Sequence, residues 1–205
     1  LKVVVVNLVH SPTLDRARKG LEEGLSLAGL RLGEDVLLRD LNAQGEPAQV
    51  PLLLQAAREE RPDLIVTLTT PVFMTAARTV RDIPLVFAVA SDPAALGLFT
   101  PDARPPNMTG VHDDPPVDRL LELALGRLPL LRAVGVVYDP AQPNALISVE
   151  KLRAACREHA LPLHEATAAG LSDLSPATRT LLDDRAGVLI LSADNLVCSG
   201  FAAIH

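Results

Sequence analysis

The chain has few aromatic residues. They are 2% of its 205 residues: one tyrosine, four phenylalanines and no tryptophan. Leucine, valine and alanine must therefore fill any core, and the 48% hydrophobic content is enough for one. Cysteine is equally scarce. Cys156 and Cys198 stand far apart with no CxxC, which excludes a zinc set or a dithiol redox motif. Both sit in apolar helical patterns and read as buried thiols, and the spacing leaves open whether they pair. Basic charge is in deficit: 19 Lys+Arg against 25 Asp+Glu gives a net charge of −6. Nucleic-acid affinity rests largely on neutralising phosphates, and no basic cluster exceeds RARK at 16–19, so that class of partner is excluded. No apolar run approaches the roughly 20 residues that cross a bilayer.

Catalytic and cofactor signatures are missing too. The loop after the first apolar run, LKVVVVNLVHSP, holds no glycine, so the dinucleotide fingerprint fails. There is no GxxxxGK[ST], no GxSxG elbow and no HExxH pair. Neither a catalytic constellation, a metal site nor a cofactor is expected.

What is present is a regular alternation. Apolar runs of strand length fall near 2–9, 34–41, 63–69, 84–90, 133–138, 162–167 and 187–192. Helical periods fall near 12–29, 47–60, 71–81, 115–128, 144–160, 175–184 and 195–204. The runs are continuously apolar, as in parallel sheets covered on both faces. The fold class is α/β with open parallel sheets. The alternation breaks once, over the proline-rich stretch 91–116, which shows neither a helical nor a strand period. Two Rossmann-like lobes are expected, 1–110 and 111–205.

Open α/β sheets bind ligands beyond the carboxyl ends of their strands. The residues delivered there are His10-Ser11-Pro12, Thr69-Thr70-Pro71, Ser91-Asp92, Tyr138 with Asn144 nearby, and Ser192 to Asn195, which includes Asp194. Ser11 and Thr70 each precede a proline at a helix start. They either cap their helices or, with the helix N–H groups, hold an anion, and both roles are compatible. Asp92 and Asp194 either start turns or meet a ligand ammonium. His10 either donates to a ligand or sits satisfied in its loop. Tyr138 either stacks on a ligand or closes the core. Phe73 follows the Thr-Thr-Pro turn and is a candidate for contact with a ligand side chain.

In order, VHSPTLDRARKGLEEGL, TLTTPVFMTAA, IPLVFAVASDPAALGL, NMTGV, VVYDPAQPNA and SADN resemble the ABC transporter substrate-binding proteins of the tryptophan/tyrosine type. The resemblance covers essentially the whole chain. It implies the type 1 periplasmic-binding-protein fold, with a cleft between two lobes and a hinge near Asn107, Thr109 and Gly110. It implies capture of an amino acid, possibly an aromatic one, with His10, Ser11, Thr69, Thr70, Ser91, Asp92, Tyr138, Asn144, Asp194 and Asn195 lining the cleft. It implies an ABC permease as membrane partner, a monomer, and a periplasmic or lipid-anchored location, any signal peptide lying outside these residues. The family runs on for several more elements, so the second lobe is expected to be incomplete here. Gln142-Pro143-Asn144 stands where the family commonly has an acidic residue before the asparagine. Two other readings use the same scaffold: an enzyme of racemase or lyase type acting on a small carboxylate, and a ligand-sensing domain of a signalling protein.

Overall fold

Four valines in a row, residues 3–6, set the centre of the first sheet. β-Branched side chains suit a pleated strand, and their alternation sends Val4 and Val6 to one face and Val3 and Val5 to the other. In the computed structural model, which describes residues 1–204, the chain forms two compact units, 1–113 and from 114 onward.

The first unit runs β1 (Lys2–Asn7), α1 (Pro12–Leu27), β2 (Leu37–Asn42), α2 (Val50–Glu59), β3 (Leu64–Leu68), α3 (Thr70–Thr79), β4 (Leu85–Ala90) and β5 (Met108–His112). The sheet order is β2-β1-β3-β4-β5, all parallel. Leu14 of α1 packs on Val3, Val5, Val66 and Leu68. Residues of α2 and α3, among them Leu54, Val72, Phe73 and Ala76, pack with Val4, Val6, Ile65 and Leu85. The second unit runs α4 (Val117–Arg127), β6 (Val134–Tyr138), α5 (Pro143–Glu158), β7 (Leu163–Thr167), α6 (Leu171–Asp183), β8 (Val188–Leu189) and α7 (Asn195–Ser199). Its sheet order is β7-β6-β8, also parallel. Side chains of α4 and α5 cover one face, and those of α6 and α7 the other. The α/β class with parallel sheets expected from the sequence is the one observed. In each unit the first strand lies between the second and third, so each sheet has a topological switch point beside its first strand.

Several elements differ from the sequence reading. The stretch 91–116 is not without structure, because β5 lies inside it. Only Met108 of that strand is buried, so it carries no apolar run. Backbone pairing to β4 holds it, and the Asn107 Nδ2 ahead of it donates to Val80 O at 3.2 Å and Ile83 O at 3.0 Å. Helix α6 starts at Leu171, not near 175: Gly170 is its N-cap, Asp173 Oδ2 accepts from the Gly170 N–H at 3.0 Å, and Pro176 sits inside the helix. The terminal helical pattern splits into α7 and a 3-10 turn at Phe201–Ala203. Cys156 is buried as expected, Cys198 is exposed, and both are free thiols.

Gly110 lies directly over Phe87, and a Cβ there would stand 2.2 Å from the Phe87 carbonyl oxygen. That contact is with backbone and cannot rotate away. Gly110→Ala is expected to cost about 2–3 kcal/mol in urea unfolding through overpacking at the β4–β5 pair.

Candidate functional site

In the first unit the switch point lies between β1 and β3. β1 delivers His10 and Ser11. Ser11 is the N-cap of α1: its Oγ accepts from Leu14 N at 3.3 Å and Pro12 opens the helix, as the sequence indicated. His10 is exposed, with Nδ1 3.9 Å from Asp15.

β3 delivers the hydroxyls, in a different arrangement from the expected one. Thr69, not Thr70, is the N-cap of α3, at φ +84°, and its side chain makes no capping hydrogen bond. Thr69 is 1% exposed and its Oγ1 has no partner. The buried Thr67 hydroxyl two residues earlier is also unpartnered. Thr70 is the first helical residue, and its Oγ1 accepts from Ser91 N at 3.0 Å, tying the end of β3 to the end of β4. The Phe73 N–H donates to Thr69 O at 3.0 Å and closes the first turn. A helix start leaves its first N–H groups without intrahelical partners, and here those belong to Thr70 and Val72, because Pro71 has none.

Two of the non-glycine residues with positive φ, Thr69 and Val89, lie near these strand ends. Val89 has φ +51°, and the β4–β5 register shifts between Phe87 and Ala90. A β-branched residue at positive φ costs on the order of 1–2 kcal/mol, and both Thr69, just after β3, and Val89, in the adjacent β4, are so placed. Ser91 is buried just beyond. Asp92 forms a turn, with Oδ1 accepting from Ala94 N at 3.0 Å.

Two sequence candidates are buried. Phe73 has no exposed surface: its ring stacks on Phe87 with centroids 4.2 Å apart and meets Phe99 edge-on at 6.3 Å. It is a core residue. Tyr138 is buried among Val134, Val136 and Val149, and its Oη donates to Glu165 Oε2 at 3.1 Å and accepts from Arg153 Nη2 at 3.4 Å. It closes the core. Burial, helped by Glu165, pushes its phenol pKa up.

The second unit brings Asn144, Asp194 and Asn195 together around Gln142, a residue absent from the sequence-derived set. Asp194 is 1% exposed and caps α7. Its Oδ1 accepts from Leu196 N at 2.8 Å, Val197 N at 3.1 Å and Gln142 Nε2 at 3.2 Å, and its Oδ2 accepts from Asp139 N at 2.6 Å. Burial raises its pKa, and the Asp139, Val197 and Leu196 N–H groups oppose that. A carboxylate so engaged is a structural hub of the second unit. Gln142 Oε1 accepts from Asn195 N at 3.1 Å and from Asn195 Nδ2 at 2.8 Å. Asn144 Nδ2 donates to Ala193 O. Asn144 Oδ1 and the Ser192 hydroxyl are buried and unpartnered. Local sequence gave no sign of the Gln142 role, because its partners lie 52 and 53 residues away.

The chain matches the family described as "ABC transporter substrate binding protein" over residues 2–205. A tyrosine-binding protein of Clostridioides difficile (strain R20291) is 26% identical over 201 residues, which is 98% of this chain and 58% of that protein. The chain thus spans less than two thirds of that relative. The crystal structure of a conserved domain protein from Vibrio cholerae superposes with a TM-score of 0.92 at 32% identity, over 99% of this chain and 69% of that one. A streptococcal ABC domain solved with L-Trp gives 0.88 at 24% identity, over 98% and 68%, a likeness of fold.

Proposed function

Because the chain belongs to the ABC transporter substrate-binding protein family, we propose that it is the solute-capturing part of an ABC importer and that its ligand is an amino acid, an aromatic one foremost. The family is one of substrate-binding proteins, not enzymes, and this chain binds without catalysis. The tyrosine-binding relative supports the ligand class. The protein works outside the cytoplasm as a monomer, with a membrane permease as partner and no nucleic acid. Among the described residues no helix is long and apolar enough to cross a membrane.

The observation that carries this reading is the unpartnered, buried Thr69 hydroxyl beside the start of α3, at the β1/β3 switch point. A protein tolerates such a group where a ligand completes it. A carboxylate held there by Thr69 Oγ1 and the Thr70 and Val72 N–H groups gains charge-assisted bonds of about 1.5–3 kcal/mol each, with the α3 dipole adding about 0.3–1 kcal/mol. Ser91, fixed by Thr70, shapes the neighbouring wall, and partly exposed Asp92 is the acid for an ammonium. His10 forms the rim.

The test is thermal unfolding with a panel of L-amino acids. At 100 times its Kd, L-tyrosine should stabilise the chain by about 2.7 kcal/mol, a rise of roughly 5–10 °C. No shift with any amino acid defeats the reading.

A further inference from the structure

Two successive residues of β4 pack on the same face of the first sheet. Along this strand Leu85 and Phe87 join the cluster under α2 and α3, and Val86 and Ala88 join the cluster under α1. Strict alternation would send Val89 to the α2/α3 face and Ala90 to the α1 face. The reverse is found: Val89 packs on the α1 face beside Ala88, and Ala90 joins Phe87 on the other. The backbone reverses with the side chains. Pro84 O and Ala88 O both accept from the β3 side, at Ile65 N and Thr69 N. Ala90 O instead accepts from Asp113 N at 2.8 Å, on the β5 side. Ser91 N then turns to the β3 side, where Thr70 Oγ1 accepts from it at 3.0 Å. Phe87 pairs with Gly110 and Ala90 with His112, so Ala88 and Val89 together stand opposite Val111. Val89, at φ +51°, is the extra residue of a β-bulge.

The strand pairing does not need this residue. Without it Ala88 would stand opposite Val111 and Ala90 opposite His112, and every later side chain would keep its present face. What the bulge adds is a bend and extra twist, which re-aim the residues that follow. Those residues are Ser91 and Asp92, the wall and the acid of the amino-acid site. A β-branched side chain disfavours positive φ, so the bend is held against a local preference. We propose that Val89 is a positioning residue of the first unit, whose bulge aims Ser91 and Asp92 at a ligand held beside Thr69 and the start of α3. This role rests on reading the chain as an amino-acid receptor, and every residue it involves lies in the first unit. It acts through backbone shape and requires no contact between Val89 and the ligand.

The test compares deletion of Val89 with Val89→Gly, by urea unfolding and by isothermal titration with L-tyrosine, L-tryptophan and L-leucine. Glycine takes positive φ freely, so Val89→Gly keeps the bulge and should bind within about 2-fold of wild type. The deletion makes β4 a regular strand. It should unfold cooperatively, with a urea midpoint no lower than that of Val89→Gly, and bind at least about 10-fold more weakly than wild type. A residue serving the fold alone would give the opposite result, a lowered midpoint with affinity intact. Wild-type affinity in the deletion overturns the proposal. A deletion that fails to fold overturns it as well, because the bulge is then part of the fold itself. Weakened binding by Val89→Gly also overturns it, since the side chain and not the bend would be at work. If the wild-type chain binds none of the three amino acids, the receptor reading falls and this role with it. Binding that the deletion leaves unchanged removes the positioning role alone.

Discussion

Phe73→Ala is expected to lower the stability of the first unit by about 3–5 kcal/mol, the range for emptying a fully buried aromatic site. The ring has no exposed surface, stacks on Phe87 and is flanked by Phe99, so three of the chain's four phenylalanines form one cluster. Around them stand Val72, Ala76 and Val80 of the α3 segment and Leu85 and Met108 of the sheet. These neighbours come from separate backbone elements and cannot all collapse into the space left. Urea unfolding reads the effect, and Phe73→Leu should cost much less because it keeps most of the volume. A variant within 1 kcal/mol of wild type that instead lost ligand affinity would return Phe73 to the binding site and refute its assignment to the core.

Asp194→Ala is expected to cost the second unit about 3–5 kcal/mol, since several buried donors lose a charged acceptor at once and α7 loses its cap. The Asp139, Leu196 and Val197 N–H groups and the Gln142 amide are all affected. Binding should then fail because the unit unfolds, and a variant with intact unfolding but lost binding would show a direct ligand role. The same residue has a pH signature. Burial raises the carboxyl pKa above its ordinary range. The folded unit therefore holds this proton more tightly than the unfolded chain does. The contribution of Asp194 to stability falls as pH rises from the ordinary carboxylate range to the raised value, and is flat above it. Asp194→Asn should remove that slope from a plot of unfolding free energy against pH.

Parts of this arrangement were legible in the chain. The apolar runs marked β1, β3, β4 and β6 because strands covered on both faces have to be apolar throughout. Ser11-Pro12 read correctly as a cap followed by a first helical residue, because both preferences are local. Phe73, a candidate for ligand contact in the sequence, is fully buried, and a signal for that existed: Phe73, Ala76, Ala77 and Val80 recur at helical spacing and mark an inward face. β5 left almost no trace, because an edge strand with one buried side chain is held by backbone pairing, which composition does not encode.

By itself, then, the sequence determined the α/β class, the parallel sheets and the strand ends at which polar groups collect, all of which follow from short-range periodicity and helix-start chemistry. Only the tertiary structure decided what each polar group does. Thr70 reaches Ser91 across 21 residues, and Asp194 reaches Asp139 across 55. A hydrogen-bonding group is equally polar whether its partner is internal or has yet to arrive. Burial and partner geometry separate the two cases, making Asp194 a scaffold and leaving Thr69, Asn144 and Ser192 unsatisfied.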